Sequence, residues 1–138
     1  MRQLTRADRV GDAVFRFLAR AGIGPAYLLT TIGRKSGLPR SLPVVPVTEG
    51  GKRYLVAPYG PVPWVLNARA AGRVHLRRGR ESGDYRIREV GAVEAGLVLK
   101  SYVRVAGATR RYFKATKDSP VTDFVAEAGE HPVFEITR

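Results

Sequence analysis

The sequence predicts an α+β fold in which a mostly antiparallel sheet closes into a small, partly open β-barrel with flanking helices. Two observations lead to this fold class. Five or six short segments are apolar or alternate with period two, and short turns separate them. The helical segments do not alternate regularly with the strands, which argues against a parallel βαβ sheet. The length of 138 residues suits one domain with a buried core, expected over residues 1–138.

The first predicted element is an amphipathic helix over residues 4–21. Apolar side chains recur at helical spacing along one face, and arginines occupy much of the rest. Gly22, Gly24 and Pro25 predict its end. A basic amphipathic helix can lie on a membrane surface, whereas packing against the domain explains the same pattern. The barrel core is expected to follow, over residues 26–137.

Three strands are predicted next. An apolar, β-branched run over residues 26–32 predicts the first strand, and a second is expected over residues 41–48. Pro43 and Pro46 lie inside the second run. Because proline cannot donate to a β-ladder, this run is predicted to be an edge strand or to contain a bulge. A turn with two glycines then predicts a hairpin into the third strand, over residues 53–59.

The second half of the chain continues with predicted helices and strands. A short helix is expected over residues 64–71 and should end at Gly72. Alternating segments over residues 73–78 and 84–90, with a turn over residues 79–83, predict an arginine-rich hairpin. The remaining predictions are a helix over residues 92–105, a turn or loop over 109–113, an irregular stretch over 114–122, a short helical turn over 123–129 and a strand over 132–137.

Net charge is the outlying feature of the composition. Lys and Arg number 24 against 12 Asp and Glu, which gives a net charge of +12. Three kinds of partner fit such a charge: nucleic acid, an anionic membrane surface or a polyanionic small molecule. The absence of cysteine excludes disulfides, thiolate metal sites and a cysteine nucleophile. Because no disulfide is required, a cytoplasmic protein is expected, and no apolar run reaches the roughly 18 residues of a membrane span.

The sequence lacks the usual catalytic constellations. None of its serines has a Gly-x-Ser-x-Gly setting. The two histidines, His75 and His131, are each predicted to be structural or solvated rather than a general base. Neither the histidines nor the acidic residues have a spacing that predicts a metal site, so no metal is expected. A chain of this kind can still be an enzyme when a cofactor supplies the chemistry.

Residues 33–37, Gly-Arg-Lys-Ser-Gly, form the most informative local motif. They lie between two predicted strands and bring two cations, a hydroxyl and two glycines into one short loop. Backbone N–H groups and charged side chains in such a loop can bind an anion. The Walker spacing of a P-loop is absent. The motif is therefore predicted to bind an anion in a manner unlike that of a P-loop.

A longer stretch around this motif, residues 28–44, resembles the deazaflavin-dependent nitroreductase family. The resemblance implies a split β-barrel like that of flavin-mononucleotide-binding oxidases. It also implies coenzyme F420, an 8-hydroxy-5-deazaflavin with an oligoglutamate tail, as cofactor, with FMN as the alternative. The implied reaction is hydride transfer from the reduced deazaflavin to a quinone, a nitroaromatic or an activated enone. Shorter stretches that continue the resemblance are residues 59–60, 64–74, 88–90, 98–102 and 131–134.

The same resemblance implies roles for residues at matching positions. Arg34, Lys35 and Ser36 are expected to bind the cofactor's phosphate and oligoglutamate tail, where charge-assisted contacts are strong. The remaining implied contacts are a groove lined by Gly37, Arg40, Ser41, Pro43, Val44 and Val45, backbone groups of Ala57, Pro58, Tyr59 and Gly60 near the deazaflavin ring, and Pro63, Trp64 and Asn67 near the phosphate and ribityl chain.

The sequence offers fewer catalytic candidates than cofactor contacts, and other functions stay open. Tyr59, Tyr102 and Tyr112 are the only candidates, and Tyr102 fits equally well as a helix core residue. One alternative is a non-catalytic protein of the same fold that holds a cofactor or a lipophilic ligand. Another is a basic protein that binds nucleic acid or a membrane surface. Contact with the inner face of the membrane through residues 1–22 is a further expectation, and both a monomer and a homodimer are compatible with the sequence.

Overall fold

The computed structural model describes residues 26–105 and 107–138, and the helix predicted over residues 4–21 lies outside them. In the described ranges the strands are β1 (Tyr27–Ile32), β2 (Pro39–Val44), β3 (Val47–Glu49), β4 (Lys52–Val56), β5 (Arg73–Arg78), β6 (Glu81–Glu89) and β7 (Val133–Thr137). The α-helices there are α1 (Pro63–Ala71), α2 (Ala92–Val105) and α3 (Val121–Glu127), and 3₁₀ helices span Gly107–Tyr112 and Ala128–Glu130.

The seven described strands form one sheet in the order β2-β1-β5-β6-β7-β4-β3, and neighbouring strands are antiparallel. Its edge strands, β2 and β3, are consecutive in the chain and are joined only by residues 45–46. Such a link spans at most about 11 Å, so the sheet has to curl until its two edges approach each other. The result is a split barrel, and the predicted fold class is confirmed.

The prediction of a single strand over residues 41–48 is wrong. This run is divided between β2 and β3, which lie at opposite edges of the sheet. Pro43 belongs to β2, an edge strand as predicted, whereas Pro46 lies in the link between the two strands. The link leaves the sheet, so its proline removes no donor from a ladder. The division also explains why the described residues hold seven strands rather than five or six.

The turns show one agreement and two smaller differences. The predicted hairpin between β3 and β4 is confirmed, and Gly50 and Gly51 have φ angles of +58° and +77°. These left-handed angles are those of a type I′ turn, which glycine adopts without steric cost. The turn predicted over residues 79–83 is shorter, because β6 already begins at Glu81. The third predicted strand ends at Val56, three residues earlier than expected.

Apolar side chains form two large clusters on opposite faces of the sheet. Strand β4 shows the alternation, since Leu55 belongs to the cluster inside the barrel and Tyr54 and Val56 belong to the outer one. Helix α1 contributes to the interior cluster, whereas α2 and α3 cover the outer face. Fully buried members of the interior cluster include Leu29, Leu55, Val65, Leu76 and Phe134, and those of the outer cluster include Val98, Leu99, Val103, Phe124 and Val133.

Helices α2 and α3 approach each other closely at Gly96. A Cβ atom at this buried glycine would lie 3.0 Å from the backbone nitrogen and 3.2 Å from the Cα of Val125, and it would collide with the Val125 side chain. Helix α2 is also tied to the sheet, because Ser101 Oγ donates a hydrogen bond to Glu49 Oε2 at 2.5 Å. The two helices therefore pack as one layer against β3 and β4.

Candidate functional site

The loop between β1 and β2, residues 33–38, folds back on itself through its own backbone. The amide of Gly33 donates to the carbonyl of Leu38 at 2.8 Å, and the amide of Gly37 donates to the carbonyl of Gly33 at 2.9 Å. The hydroxyl of Ser36 accepts a hydrogen bond from the amide of Leu38 at 3.2 Å. These contacts leave the side chains of Arg34, Lys35 and Ser36 exposed at the end of the hairpin.

A buried asparagine on helix α1 anchors this loop. Asn67 is 3% exposed, and its Oδ1 accepts hydrogen bonds from the amide of Arg34 at 3.1 Å and from Arg34 Nη1 at 2.9 Å. Its Nδ2 donates to Thr31 Oγ1 at 3.3 Å. The family resemblance implied that Asn67 lies near the cofactor, but the sequence does not reveal this anchoring contact. The two partners lie 33 residues apart, and no local pattern connects them.

The loop presents a concentrated positive charge. Among the described residues no carboxylate forms an ion pair with Arg34, Lys35 or the neighbouring Arg40. Only one amino group of the Arg34 guanidinium is used by Asn67, so its other N–H groups can still bind a bidentate anion. The amides of Lys35 and Ser36 have no acceptor in the described part of the chain. This donor set fits a phosphate or a string of carboxylates.

The other residues implied near the loop have mixed environments. Trp64 is buried, with its ring centroid 5.8 Å from that of Phe134 in the barrel interior. Ser41 Oγ lies 2.8 Å from Thr30 Oγ1 on the neighbouring strand, so the hydroxyls of both side chains are engaged with each other. Pro43, Val44 and Val45 are half-buried along the edge of the sheet, and Pro63 is exposed at the first turn of α1.

A second group of implied residues follows strand β4. The segment 57–60 is held to the C-terminal part of the chain, since the amide of Ala57 donates to the carbonyl of Pro132 at 2.8 Å. Within the segment, the amide of Gly60 donates to the carbonyl of Ala57 at 3.3 Å. Ala57, Pro58 and Gly60 are buried and Tyr59 is half-buried. Tyr59 is therefore the least buried residue of a segment that backbone hydrogen bonds hold in place.

The structure brings two of the three candidate tyrosines together. The rings of Tyr59 and Tyr112 meet edge to face, with centroids 4.6 Å apart. Tyr102 is instead buried in the outer core, where its hydroxyl accepts a hydrogen bond from Thr109 at 3.1 Å. Burial raises the pKa of Tyr102 to about 12. Its environment is that of a core residue, the alternative that the sequence left open.

A buried histidine and a buried glutamate contact the backbone segments next to these two tyrosines. His131 Nδ1 is 2.9 Å from the carbonyl oxygen of Pro58, and His131 Nε2 is 2.8 Å from Glu127 Oε1. Glu127 also accepts hydrogen bonds from the amides of Lys114 at 3.1 Å and Ala115 at 2.8 Å. His131 is thus structural, one of the two environments expected from the sequence. The pairing itself was missed, although the i, i+4 spacing of Glu127 and His131 was visible.

Glu130 completes a group of three potential metal ligands with this pair. The three ligand atoms lie within 4.8 Å of one another. Both nitrogens of His131 and both oxygens of Glu127 already have hydrogen-bond partners in the protein, and Glu130 forms a long ion pair with Lys114 at 3.7 Å. The three residues therefore form part of a hydrogen-bond network in which the polar atoms of His131 and Glu127 have protein partners.

The Glu127 network predicts a pH dependence of stability. Burial alone raises the pKa of the Glu127 carboxyl, but the N–H groups of Ala115 and Lys114 and the His131 ring outweigh it, so the pKa is lowered. The folded state therefore binds this proton less readily than the unfolded chain. Its contribution to stability is complete above the ordinary glutamate pKa of about 4.3 and is lost as the pH falls through the lower folded pKa.

We expect Glu127→Gln to lower the free energy of unfolding at pH 7 by about 2 kcal/mol, because two buried N–H groups and His131 lose their carboxylate. The difference from the wild type should shrink as the pH falls below about 4. Urea unfolding followed by circular dichroism at several pH values measures both effects. The exposed Glu130→Gln is the matched control, and an equal loss in both variants would contradict the role given to Glu127.

The arginine-rich hairpin β5–β6 is partly neutralised by acidic neighbours. Arg88 pairs with Glu135 at 2.7 Å and with Glu94 at 2.8 Å. His75 lies opposite Asp84 in the hairpin register, and their side chains are 3.0 Å apart. This pairing gives His75, too, a structural role. Among the described residues no helix has the length and apolar character needed to cross a membrane.

Comparisons with known proteins place these features in context. The sequence matches the family described as F420H(2)-dependent quinone reductase over residues 2–128. The structure of an F420-H2-dependent reductase, FDR-A, is 30% identical, covers 82% of this chain and 94% of its own, and has a TM-score of 0.57. A structure described as a domain-swapped dimer is 28% identical in sequence. The match covers 96% of this chain and 100% of that chain, with a TM-score of 0.58. A NimC/NimA family protein from Clostridium acetobutylicum shares the fold at 16% sequence identity. The match covers 91% of this chain and 80% of that chain, with a TM-score of 0.55.

Proposed function

The chain belongs to the F420H(2)-dependent quinone reductase family, and from this premise we propose that it reduces quinones at a site built from the β1–β2 loop and the segment 57–60. Membership makes it an oxidoreductase that uses coenzyme F420, so the resemblance, the enzyme class and the cofactor predicted from the sequence are confirmed. The non-catalytic and nucleic-acid-binding alternatives lose support, because the family is one of F420H(2)-dependent reductases.

The exposed cationic loop is the observation that carries the proposal. Arg34, Lys35 and Arg40 project from one hairpin end without a described carboxylate partner, and Asn67 fixes the backbone of Arg34. These residues would hold the phosphate and the oligoglutamate arm. Because these cations are already exposed, binding the arm does not require a buried cation to be desolvated. The protein therefore needs little rearrangement to bind it. Binding of this anionic arm would account for part of the net charge of +12.

When bound, the reduced cofactor supplies a hydride, which together with one proton converts a quinone into a hydroquinone. The segment 57–60 would orient the ring system with its backbone, since three of its four residues are buried and held. The Tyr59–Tyr112 pair offers an aromatic surface for a planar acceptor. We propose that nitroaromatics and activated enones are reduced as well, because they are electrophilic and planar like quinones. The proton comes from solvent or from a tyrosine hydroxyl beside the acceptor.

Two linked measurements test this function. Titration with coenzyme F420 should quench the fluorescence of Trp64, which lies on α1 one turn before Asn67. Anaerobic mixing with the reduced cofactor and menadione should then show catalytic oxidation of the cofactor, and a nitroaromatic and an enone extend the test to the other acceptors. An absence of binding at micromolar cofactor would refute the proposal. Binding without turnover would instead favour a non-catalytic cofactor-binding protein.

A further inference from the structure

We infer that His131 is a positioning residue, which fixes the segment 57–60 relative to Tyr112 by donating a hydrogen bond to the carbonyl of Pro58. This inference rests on the proposed function, because the segment is the part of the chain that would orient the cofactor ring. Its evidence is separate and lies in the contacts of a residue that is only 3% exposed.

The two ring nitrogens of His131 have different hydrogen-bond partners. The carbonyl oxygen of Pro58 can only accept a hydrogen bond, so Nδ1, at 2.9 Å, carries a proton. Nε2 lies 2.8 Å from Oε1 of Glu127, whose carboxyl group also accepts hydrogen bonds from two backbone amides. The ring therefore has a hydrogen-bond partner on each side, the Pro58 carbonyl at Nδ1 and the Glu127 carboxyl group at Nε2. The Nδ1 contact is the one that holds the carbonyl of Pro58.

The same ring connects both sides of the proposed acceptor site. Its face stacks on Phe113, with centroids 4.0 Å apart and planes inclined by 27°. Glu127, the partner of Nε2, binds the amides of Lys114 and Ala115, which follow Tyr112 in the chain. Pro58, the partner of Nδ1, precedes Tyr59. The two hydrogen bonds of His131 thus tie together the backbones that carry the two contacting tyrosine rings.

An apolar residue of similar size would fill the same space but could not replace these bonds. It would leave the Pro58 carbonyl without this donor and would remove one of the three hydrogen-bond partners of the buried Glu127. The two roles can be separated because asparagine and glutamine each imitate one ring nitrogen. The amide nitrogen of asparagine falls near Nδ1 and reaches toward Pro58, whereas that of glutamine falls near Nε2 and reaches toward Glu127.

The experiment compares H131N and H131Q. In the cofactor-free protein, hydrogen exchange of the Gly60 amide should be about tenfold faster in H131Q than in the wild type, and slower in H131N than in H131Q. The KM for menadione should rise about tenfold in H131Q and by less in H131N. The melting temperature should follow the opposite order, with H131N the lower of the two. Equal losses in both variants for all three measurements would show a packing role and overturn the inference.

The positioning role of His131 can be tested independently of the proposed reductase activity. Amide exchange needs no cofactor, so it tests the tie to Pro58 even if the wild type fails to oxidise the reduced deazaflavin. If either variant fails to fold, the ¹⁵N spectrum of the wild-type imidazole serves instead. A protonated Nδ1 is expected for His131 in the folded protein. An unprotonated Nδ1 overturns the inference, because that atom could not donate to Pro58.

Discussion

Replacing Arg34 and Lys35 together by alanine should weaken the binding of coenzyme F420 by about 100-fold and leave the fold intact. Each side chain would lose a charge-assisted contact to the anionic arm worth about 1.5 kcal/mol, and two such losses correspond to about two powers of ten in Kd. Both side chains are exposed, so alanine creates neither a cavity nor a buried unpaired group. Quenching of Trp64 during titration with the cofactor measures the change in Kd.

A variant with the same net charge controls for general electrostatic attraction. Arg80 and Arg86 are exposed on the β5–β6 hairpin, and replacing both by alanine removes the same two charges from the protein. This control should weaken binding by no more than a few-fold, through the long-range field alone. If both double variants weaken binding equally, the β1–β2 loop is not the site that binds the arm. Raising the salt concentration should reduce the wild-type affinity more than that of the loop variant.

Replacing Gly96 by valine should have the largest effect on stability. A Cβ at this position would already lie 3.0 Å from the backbone nitrogen of Val125, and a real side chain would drive α2 away from α3. Overpacking against a backbone that cannot yield locally costs about 3 kcal/mol. For a domain of this size the loss corresponds to a decrease in melting temperature of roughly 10 °C. Thermal unfolding followed by circular dichroism measures it.

Gly129 offers the matched control for this substitution. A Cβ there would meet no atom within 4 Å, and the residue is exposed in the second 3₁₀ helix. Gly129→Val should therefore change the melting temperature by only a few degrees. A wild-type melting temperature for Gly96→Val would contradict the close packing of α2 on α3, and with it the arrangement of the outer core.

Most of the fold could be predicted because its elements have local signatures. The strand over residues 73–78 and the helix over residues 92–105 have the predicted bounds, since alternation and helical spacing are properties of neighbouring residues. The division of residues 41–48 was not predictable in the same way. Both halves have strand composition, and only the pairing of one with β1 and the other with β4 separates them. Pairing between distant strands leaves little trace in a single sequence.

The candidate site shows the same distinction between local and long-range information. Residues 33–37 could be recognised from their glycines, cations and hydroxyl, which lie together in the chain. The anchor of Arg34 on Asn67 spans 33 residues, and the bond from His131 to Pro58 spans 73. No spacing rule connects residues so far apart. Their partners could be identified only once the backbone had brought them within hydrogen-bond distance.

The sequence by itself determined the class of the protein: a small split barrel with a basic loop and no catalytic side chains of the common kinds, in a family that uses a deazaflavin. Tertiary structure decided which residues act together. It placed Tyr59 against Tyr112 and left Tyr102 in the core, and it buried His131 between Glu127 and Pro58. The physical reason is that burial requires each polar group to find a partner, and the fold determines which partner lies within reach.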